Sequence, residues 1–335
     1  MPTVLHGWHL QEKTMIFEKK ILDVYNKTLL TRHDPDGTLY YFSKEDFPGL
    51  LSEEYFFLGD KGQKLSAYLY YRGEKSTDRL IMFEHGMGNG HAAYMQEINK
   101  ITERGYTVFT YDHTGTRCSE GNSIGGFSQS LSDLDRAYKF VRSMPEYTLA
   151  NVSVIGHSWG GFSTMNIPAI HPEITHVVAL AGFISPKAIQ EQFFSGPLKF
   201  YRKAIFNQEL SDFPDYARFD GRTSLKNAKT KALIIHSRDD KTCHFENHFG
   251  ELKRALSDSE NVEFLAVDGK GHNPNYTEDA VKYKDERMAV LRKMLKKKKL
   301  QTDEEKAAFV ASNDWVRMTK QDDEVWNRIF DFLEQ

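Results

Sequence analysis

The chain has 335 residues, 44 Lys and Arg against 47 Asp and Glu, and 40% hydrophobic and 13% aromatic residues. That length allows one large α/β domain carrying an insertion or two small domains, and the composition excludes a disordered, collagenous or disulfide-scaffold chain. A formal charge of −3 argues against a dedicated nucleic-acid binder, and two cysteines are too few for a disulfide framework, so a reducing, cytoplasmic setting is expected.

Residues 1–52 read as a leader that packs on the core, with Ile16, Phe17, Ile21, Tyr25 and Leu29 spaced for one amphipathic helix. His6, His9, Glu12 and Lys13 interrupt any signal-peptide run, and no stretch of about 18 apolar residues follows, so no stable membrane insertion is expected. From about Glu54 onward, short β-rich runs alternate with helical patterns. The runs are Tyr55 to Leu58, Leu65 to Tyr71, Leu80 to Phe83, Thr107 to Tyr111, Val152 to Ile155, His176 to Leu180, Ala232 to Ile235 and Val262 to Val267. The first two flank the turn Gly59-Asp60-Lys61-Gly62 and predict an antiparallel hairpin. The later ones are continuous and apolar, as in parallel strands covered on both faces by crossover helices. Leu131, Leu134, Ala137, Phe140 and Val141 predict one such helix, and residues from Asn247 to Leu256 another. Residues 53–183 and 231–335 therefore form the predicted core. The aromatic segment 184–230 stands outside it as a cap, and the charged segment at about 273–321, with Met288, Leu291 and Leu295 at helical spacing, as an insertion. Asp323 to Leu333 predicts a closing helix.

The strand Val152 to Ile155 runs into Gly156-His157-Ser158-Trp159-Gly160-Gly161 and then into a helical Phe162 to Ile170. This is G-x-S-x-G between a strand and a helix, where a strained turn exposes the serine hydroxyl at the sheet edge and small residues two positions away relieve crowding. A nucleophilic serine needs a base, and the base an orienting acid, both at the ends of later strands. His272 follows the last strand, and Asp239-Asp240 follows the one before it; Asp240 is the preferred acid. An oxyanion hole needs the N–H of the residue after the nucleophile, Trp159, and one from the loop after an early strand. The glycine-rich loop Glu84-His85-Gly86-Met87-Gly88-Asn89-Gly90 supplies Met87. His157 and the cap residues Phe193, Phe194 and Phe200 are candidates for substrate contact. His244 and His248 are four apart but read as helix-surface histidines rather than metal ligands. Cys118 and Cys243 read as buried or half-buried structural thiols, and Lys296 to Lys299, followed by Asp303-Glu304-Glu305, as a solvated charged helix.

In the order His85-Gly86-Met87-Gly88, Tyr111-Asp112-His113-Thr114-Gly115, Gly156-His157-Ser158-Trp159-Gly160-Gly161, Asp240 and Gly271-His272, the chain resembles the α/β-hydrolase superfamily. Within it, the likeness is to the monoacylglycerol-lipase and serine-aminopeptidase (S33-type) branch. The resemblance implies an eight-stranded, mostly parallel sheet flanked by helices, with a helical cap inserted after the sixth strand. It departs from the family at Arg117, where a second glycine is usual, at His236-Ser237, where His-Gly is usual, and by the insertion after Asn273. The expected activity is cleavage of a small-molecule carboxylic ester with an apolar acyl group through Ser158, His272 and Asp240, without a cofactor. A peptidase or amidase of the same branch, and a low-turnover ligand-binding protein on the same fold, are the alternatives.

Overall fold

The structure, a computed structural model, describes residues 18–88 and 90–335. Every one of the expected apolar runs becomes a strand: β1 (Leu50–Leu58), β2 (Lys64–Arg72), β3 (Arg79–Glu84), β4 (Thr107–Tyr111), β5 (Asn151–His157), β6 (His176–Leu180), β7 (Lys231–Ser237) and β8 (Val262–Val267). They form one sheet in the order β1-β2-β4-β3-β5-β6-β7-β8. Pairing is antiparallel between β1 and β2 and between β2 and β4, and parallel across the rest. With its flanking helices this is the α/β-hydrolase fold.

The helices are α1 (18–28), α2 (Met95–Glu103), α3 (Gln129–Ser143), α4 (Trp159–Asn166), α5 (Pro186–Phe193), α6 (Arg202–Asp212), α7 (Gly221–Lys226), α8 (Glu251–Ala255), α9 (Glu278–Lys296), α10 (Asp303–Ala311), α11 (Trp315–Met318) and α12 (Asp323–Leu333). Successive strand residues point to opposite faces, so each strand feeds two cores. Ile81 and Phe83 join Ile98 of α2 and Trp326 and Ile329 of α12 on one face. Leu80 and Met82 join Leu131 and Leu134 of α3 and Phe162 of α4 on the other. The region expected as a helix from Asn247 to Leu256 begins with a π-helical turn, Glu246–Gly250, before α8.

Of the leader helix, Ile16 and Phe17 lie outside the described residues; Tyr25 is buried and sets its ring edge-on against Phe194 at 5.7 Å. Further on, the guanidinium of Arg32 donates to the carbonyls of Ser119 (2.8 Å) and Gly121 (2.9 Å), which pins the leader to the loop after β4. Arg117, at the position where the family prefers glycine, adopts φ 45° and lays its guanidinium over the Tyr41 ring at 4.5 Å. The left-handed backbone is kept without glycine, and the side chain is used to hold the leader.

The segment after His272 leaves the core and returns to the same place. Tyr276 bridges Gln321, Thr277 N donates to Lys320 O (3.0 Å), and Asp322 N donates to Asn275 O (2.8 Å). Between these ties α9, the turn after it and α10 carry a small apolar cluster of Leu291, Leu300 and Phe309, against which Leu39 of the leader packs. Lys296 to Lys299 are exposed at the end of α9. Cys243 is buried, whereas Cys118 is exposed, contrary to expectation; it lies in the loop after β4, where the Ser66 hydroxyl donates to its carbonyl at 3.0 Å.

Candidate active site

Between β5 and α4 the backbone of Ser158 takes φ 56° and ψ −111°, outside the regions favoured by L-residues, while its N–H donates to Leu180 O at 2.8 Å. The flanking glycines are sterically required. A Cβ on Gly156 would stand 2.2 Å from Thr164 Oγ1 and 2.3 Å from the Gly160 carbonyl, and one on Gly160 would stand 2.3 Å from the Glu84 carbonyl.

His272, on the turn after β8, reaches across the sheet edge. Its Nε2 lies 2.8 Å from Ser158 Oγ and its Nδ1 lies 2.8 Å from Asp240 Oδ2. With the proton on Nδ1 donated to Asp240, Nε2 is left to accept from the serine hydroxyl. The Asp240 carboxylate is fully buried, and its Oδ1 accepts from the N–H groups of Thr242 (2.7 Å) and Cys243 (3.1 Å). Burial alone would raise its pKa, but hydrogen bonds and charge from His236 and His272 outweigh it and hold the group well below the usual carboxylate range.

A histidine supports this acid, while the neighbouring carboxylate, Asp239, has other partners. His236, the last but one residue of β7, places Nε2 3.1 Å from Asp240 Oδ2 and 2.8 Å from the Cys243 carbonyl. Asp239 faces the other way: it accepts from Gly271 N at 3.2 Å and from the Ser237 hydroxyl, which in turn accepts from Lys270 N at 3.2 Å. Ser237, the second departure from the family pattern, thus braces the turn that carries His272.

His157 belongs to a relay rather than to an open binding surface. Gly86 N donates to Tyr94 Oη (2.9 Å), the Tyr94 hydroxyl donates to His157 Nδ1 (2.8 Å), and His157 Nε2 donates to the His272 carbonyl (2.6 Å). Burial, then the neighbouring His272, lower the His157 pKa to about 3, so it stays neutral and the relay keeps one direction. The chain of bonds ties the glycine-rich loop after β3 to the turn of His272. Met87 is half-buried in that loop. Trp159 is the first residue of α4, where the helix has no acceptor for its backbone N–H; its indole is buried and donates to Phe127 O at 2.7 Å.

Ser158 and His272 open into a cavity of about 200 Å³ lined also by Gly86, Met87, Tyr94 and His157. Asn273, Tyr276 and Lys284, from the segment after β8, form its remaining wall. Phe193, Phe194 and Phe200 are not part of this lining: Phe194 packs on Tyr25 of α1, and Phe193 and Phe200 are 40% and 77% exposed. The cap uses these rings against the leader (Phe194), against Phe127 of the core (Phe193) and against solvent (Phe200), not against the cavity. A larger groove of about 940 Å³, between residues 168–173 and 215–229, contains none of the groups around Ser158. His244 is exposed, while His248 is buried with Nε2 3.1 Å from Gln192 Oε1, so the pair does not share a surface. Among the described residues no three His, Cys, Asp or Glu side chains are grouped for a metal, and no helix is long and apolar enough to cross a membrane.

Comparison with known proteins agrees with this architecture. Residues 75–212 match the family model described as serine aminopeptidase, S33. The chain is 24% identical over 177 residues to the monoglyceride lipase of Rattus norvegicus, covering 52% of this chain and 56% of the lipase. It is likewise 24% identical over 214 residues to an uncharacterized protein of Acanthamoeba polyphaga mimivirus, covering 61% of this chain and 71% of that one. Among solved structures, a Pyrococcus furiosus esterase superposes with a TM-score of 0.57 at 18% identity, over 79% of this chain and 98% of that one. A Pyrococcus horikoshii acylaminoacyl peptidase does so with a TM-score of 0.52 at 17% identity, over 68% of this chain and 38% of the peptidase. The chain is an α/β-hydrolase in fold, similar in sequence to the S33 serine-aminopeptidase and monoglyceride-lipase-like branch.

Proposed function

We propose that this protein is a serine hydrolase that cleaves small carboxylic esters. The observation that carries the reading is the continuous hydrogen-bonded line from Ser158 Oγ through His272 to Asp240, with both links at 2.8 Å, beside a serine held at φ 56°. In the proposed reaction Ser158 attacks the ester carbonyl as His272 takes its proton, and Asp240 stabilises the resulting imidazolium. The N–H groups of Met87 and Trp159 hold the oxyanion. His272 then protonates the leaving alcohol, and water, activated by the same imidazole, releases the acid from the acyl-enzyme. Protein groups and water supply every step.

A cavity of about 200 Å³ with a largely polar wall favours short acyl groups. It also favours ester over peptide, because the lining includes no carboxylate to receive a substrate's amino terminus. Glu209, the buried acid of the cap, is already engaged by Ser128 N (2.6 Å) and Gln190 Nε2 (3.2 Å). Turnover of p-nitrophenyl acetate through laurate beside aminoacyl anilides tests the reading. Activity that peaks at the shortest esters, without anilide cleavage, is expected; the reverse order selects the peptidase.

A further inference from the structure

The segment between His272 and α12 brings a positive charge to the cavity. Lys284, on α9, reaches the wall beside Asn273, the residue next to His272. Lys284 is half-buried, and burial lowers its pKa against the opposing charges of Glu97 and Asp285. It donates to Asn273 Oδ1 at 2.7 Å and stands 5.3 Å from the Tyr276 ring centroid, and among the described residues no carboxylate lies within ion-pair distance of it. A half-buried cation whose direct contacts are a neutral amide and an aromatic face is better satisfied when an anion completes its shell.

The surrounding groups leave that role open. Asp285, the next residue on the helix, is exposed and acts on Lys284 through its charge without a salt bridge. Glu97, buried beneath Tyr276, is bonded by Asn275 Nδ2 at 3.1 Å, and burial raises its pKa to about 7, so it is only partly ionised at neutral pH. The lysine is not loosely placed either. Tyr283, the residue before it, accepts from Asp314 N at 2.9 Å, and Arg287, one turn later, bonds Asn313 and Ser312. These contacts lock α9 onto the α10–α11 corner and aim Lys284 inward.

We propose that Lys284 is a specificity-determining residue that selects esters carrying a carboxylate close to the scissile bond, and that the segment after β8 serves to deliver it. A single ammonium matches a single negative charge, and a cavity of this size places the two ends of a short substrate on Ser158 and Lys284 together. This inference rests on the hydrolase reading of Ser158 and adds the chemical class of its substrate.

The test compares charged and uncharged twins of equal shape on the full chain: phenyl hydrogen glutarate against phenyl glutaramate, and 4-acetoxybenzoate against 4-acetoxybenzamide. The first pair carries the charge on the acyl side and the second on the leaving side. Wild type should show a kcat/KM ratio of carboxylate over amide of about 10- to 100-fold in one pair, the range for a hydrogen bond to a charged group. The ratio should fall toward one in Lys284→Met and persist in Lys284→Arg. A second readout uses wild type alone: glutarate should slow fluorophosphonate labelling of Ser158 more than glutaramide does. Ratios near one in both pairs, an unchanged ratio in Lys284→Met, or equal protection by the two compounds overturns the proposal. Absence of any fluorophosphonate adduct in wild type removes the hydrolase reading beneath it, a result distinct from a labelled enzyme without charge preference.

Discussion

At the residue scale the account depends on which carboxylate serves His272. The sequence offers Asp239 and Asp240 side by side, and order along the chain does not separate them; their directions do. Asp240 accepts from the imidazole, while Asp239 accepts from Gly271 N and the Ser237 hydroxyl. Asp240→Asn should therefore lower kcat by about 10⁴, as loss of the orienting acid does elsewhere, whereas Asp239→Asn should lower it by only about tenfold through a looser His272 turn. Steady-state kinetics on the two variants, with matched unfolding curves, checks this; equal losses contradict the assignment. Ser158, His272 and Asp240 were legible because their chemistry demands fixed places at strand ends. His236, Tyr94 and Lys284 were not, since a histidine, a tyrosine and a lysine carry no role until the fold brings them to one cavity. Glu97 makes a separate prediction. Its folded pKa of about 7 lies above the ordinary 4.5, so the unfolded chain releases its proton first and folding stability falls as pH rises across that interval. Glu97→Gln keeps an acceptor for Asn275 but cannot ionise. Its stability relative to wild type should therefore grow between about pH 4.5 and 7 and level off above, as urea titrations at several pH values would show; a pH-independent difference contradicts the burial argument.

At the element scale, the strand-turn-helix around Ser158 stores strain that the site uses. Residues in such backbone regions cost roughly 1–3 kcal/mol unless they are glycine. Ser158→Gly should thus be more stable than Ser158→Ala by about 1 kcal/mol in chemical unfolding, both lacking the hydroxyl; equal stabilities would mean the turn is relaxed. Strands were the most legible elements, because continuous apolar runs such as Leu80 to Phe83 and His176 to Leu180 have no other use in an α/β chain. β1 was read short, from Tyr55, although it starts at Leu50; Ser52, Glu53 and Glu54 look like loop residues but pair with β2 on a solvated edge strand. α9 was legible as a helix from Met288, Leu291 and Leu295, yet its contribution to the cavity was hidden, because Lys284 reads locally as one more charge on a solvated face.

At the scale of the whole molecule, three additions to the sheet meet around one edge of it. The leader docks through Arg32 and Tyr25, the cap sets Phe194 against that leader, and the segment after β8 closes back on Asn275 and Tyr276. Of the three, only the segment after β8 reaches the space over Ser158, where Asn273, Tyr276 and Lys284 help to close a small, largely polar cavity. The fold class was visible in the alternation of strands and helices. The shape of the site was not, because it depends on contacts between segments distant in the chain, such as Tyr94 with His157 and the His272 carbonyl with His157. The central claim, a nucleophilic serine at the end of β5, is tested most directly by treating wild type and Ser158→Ala with a fluorophosphonate and reading intact mass beside p-nitrophenyl acetate turnover. The account predicts one adduct and turnover in wild type, with neither in Ser158→Ala, whose rate should fall on the order of 10⁶. An unlabelled, inactive wild type, or labelling and turnover retained in Ser158→Ala, would contradict it.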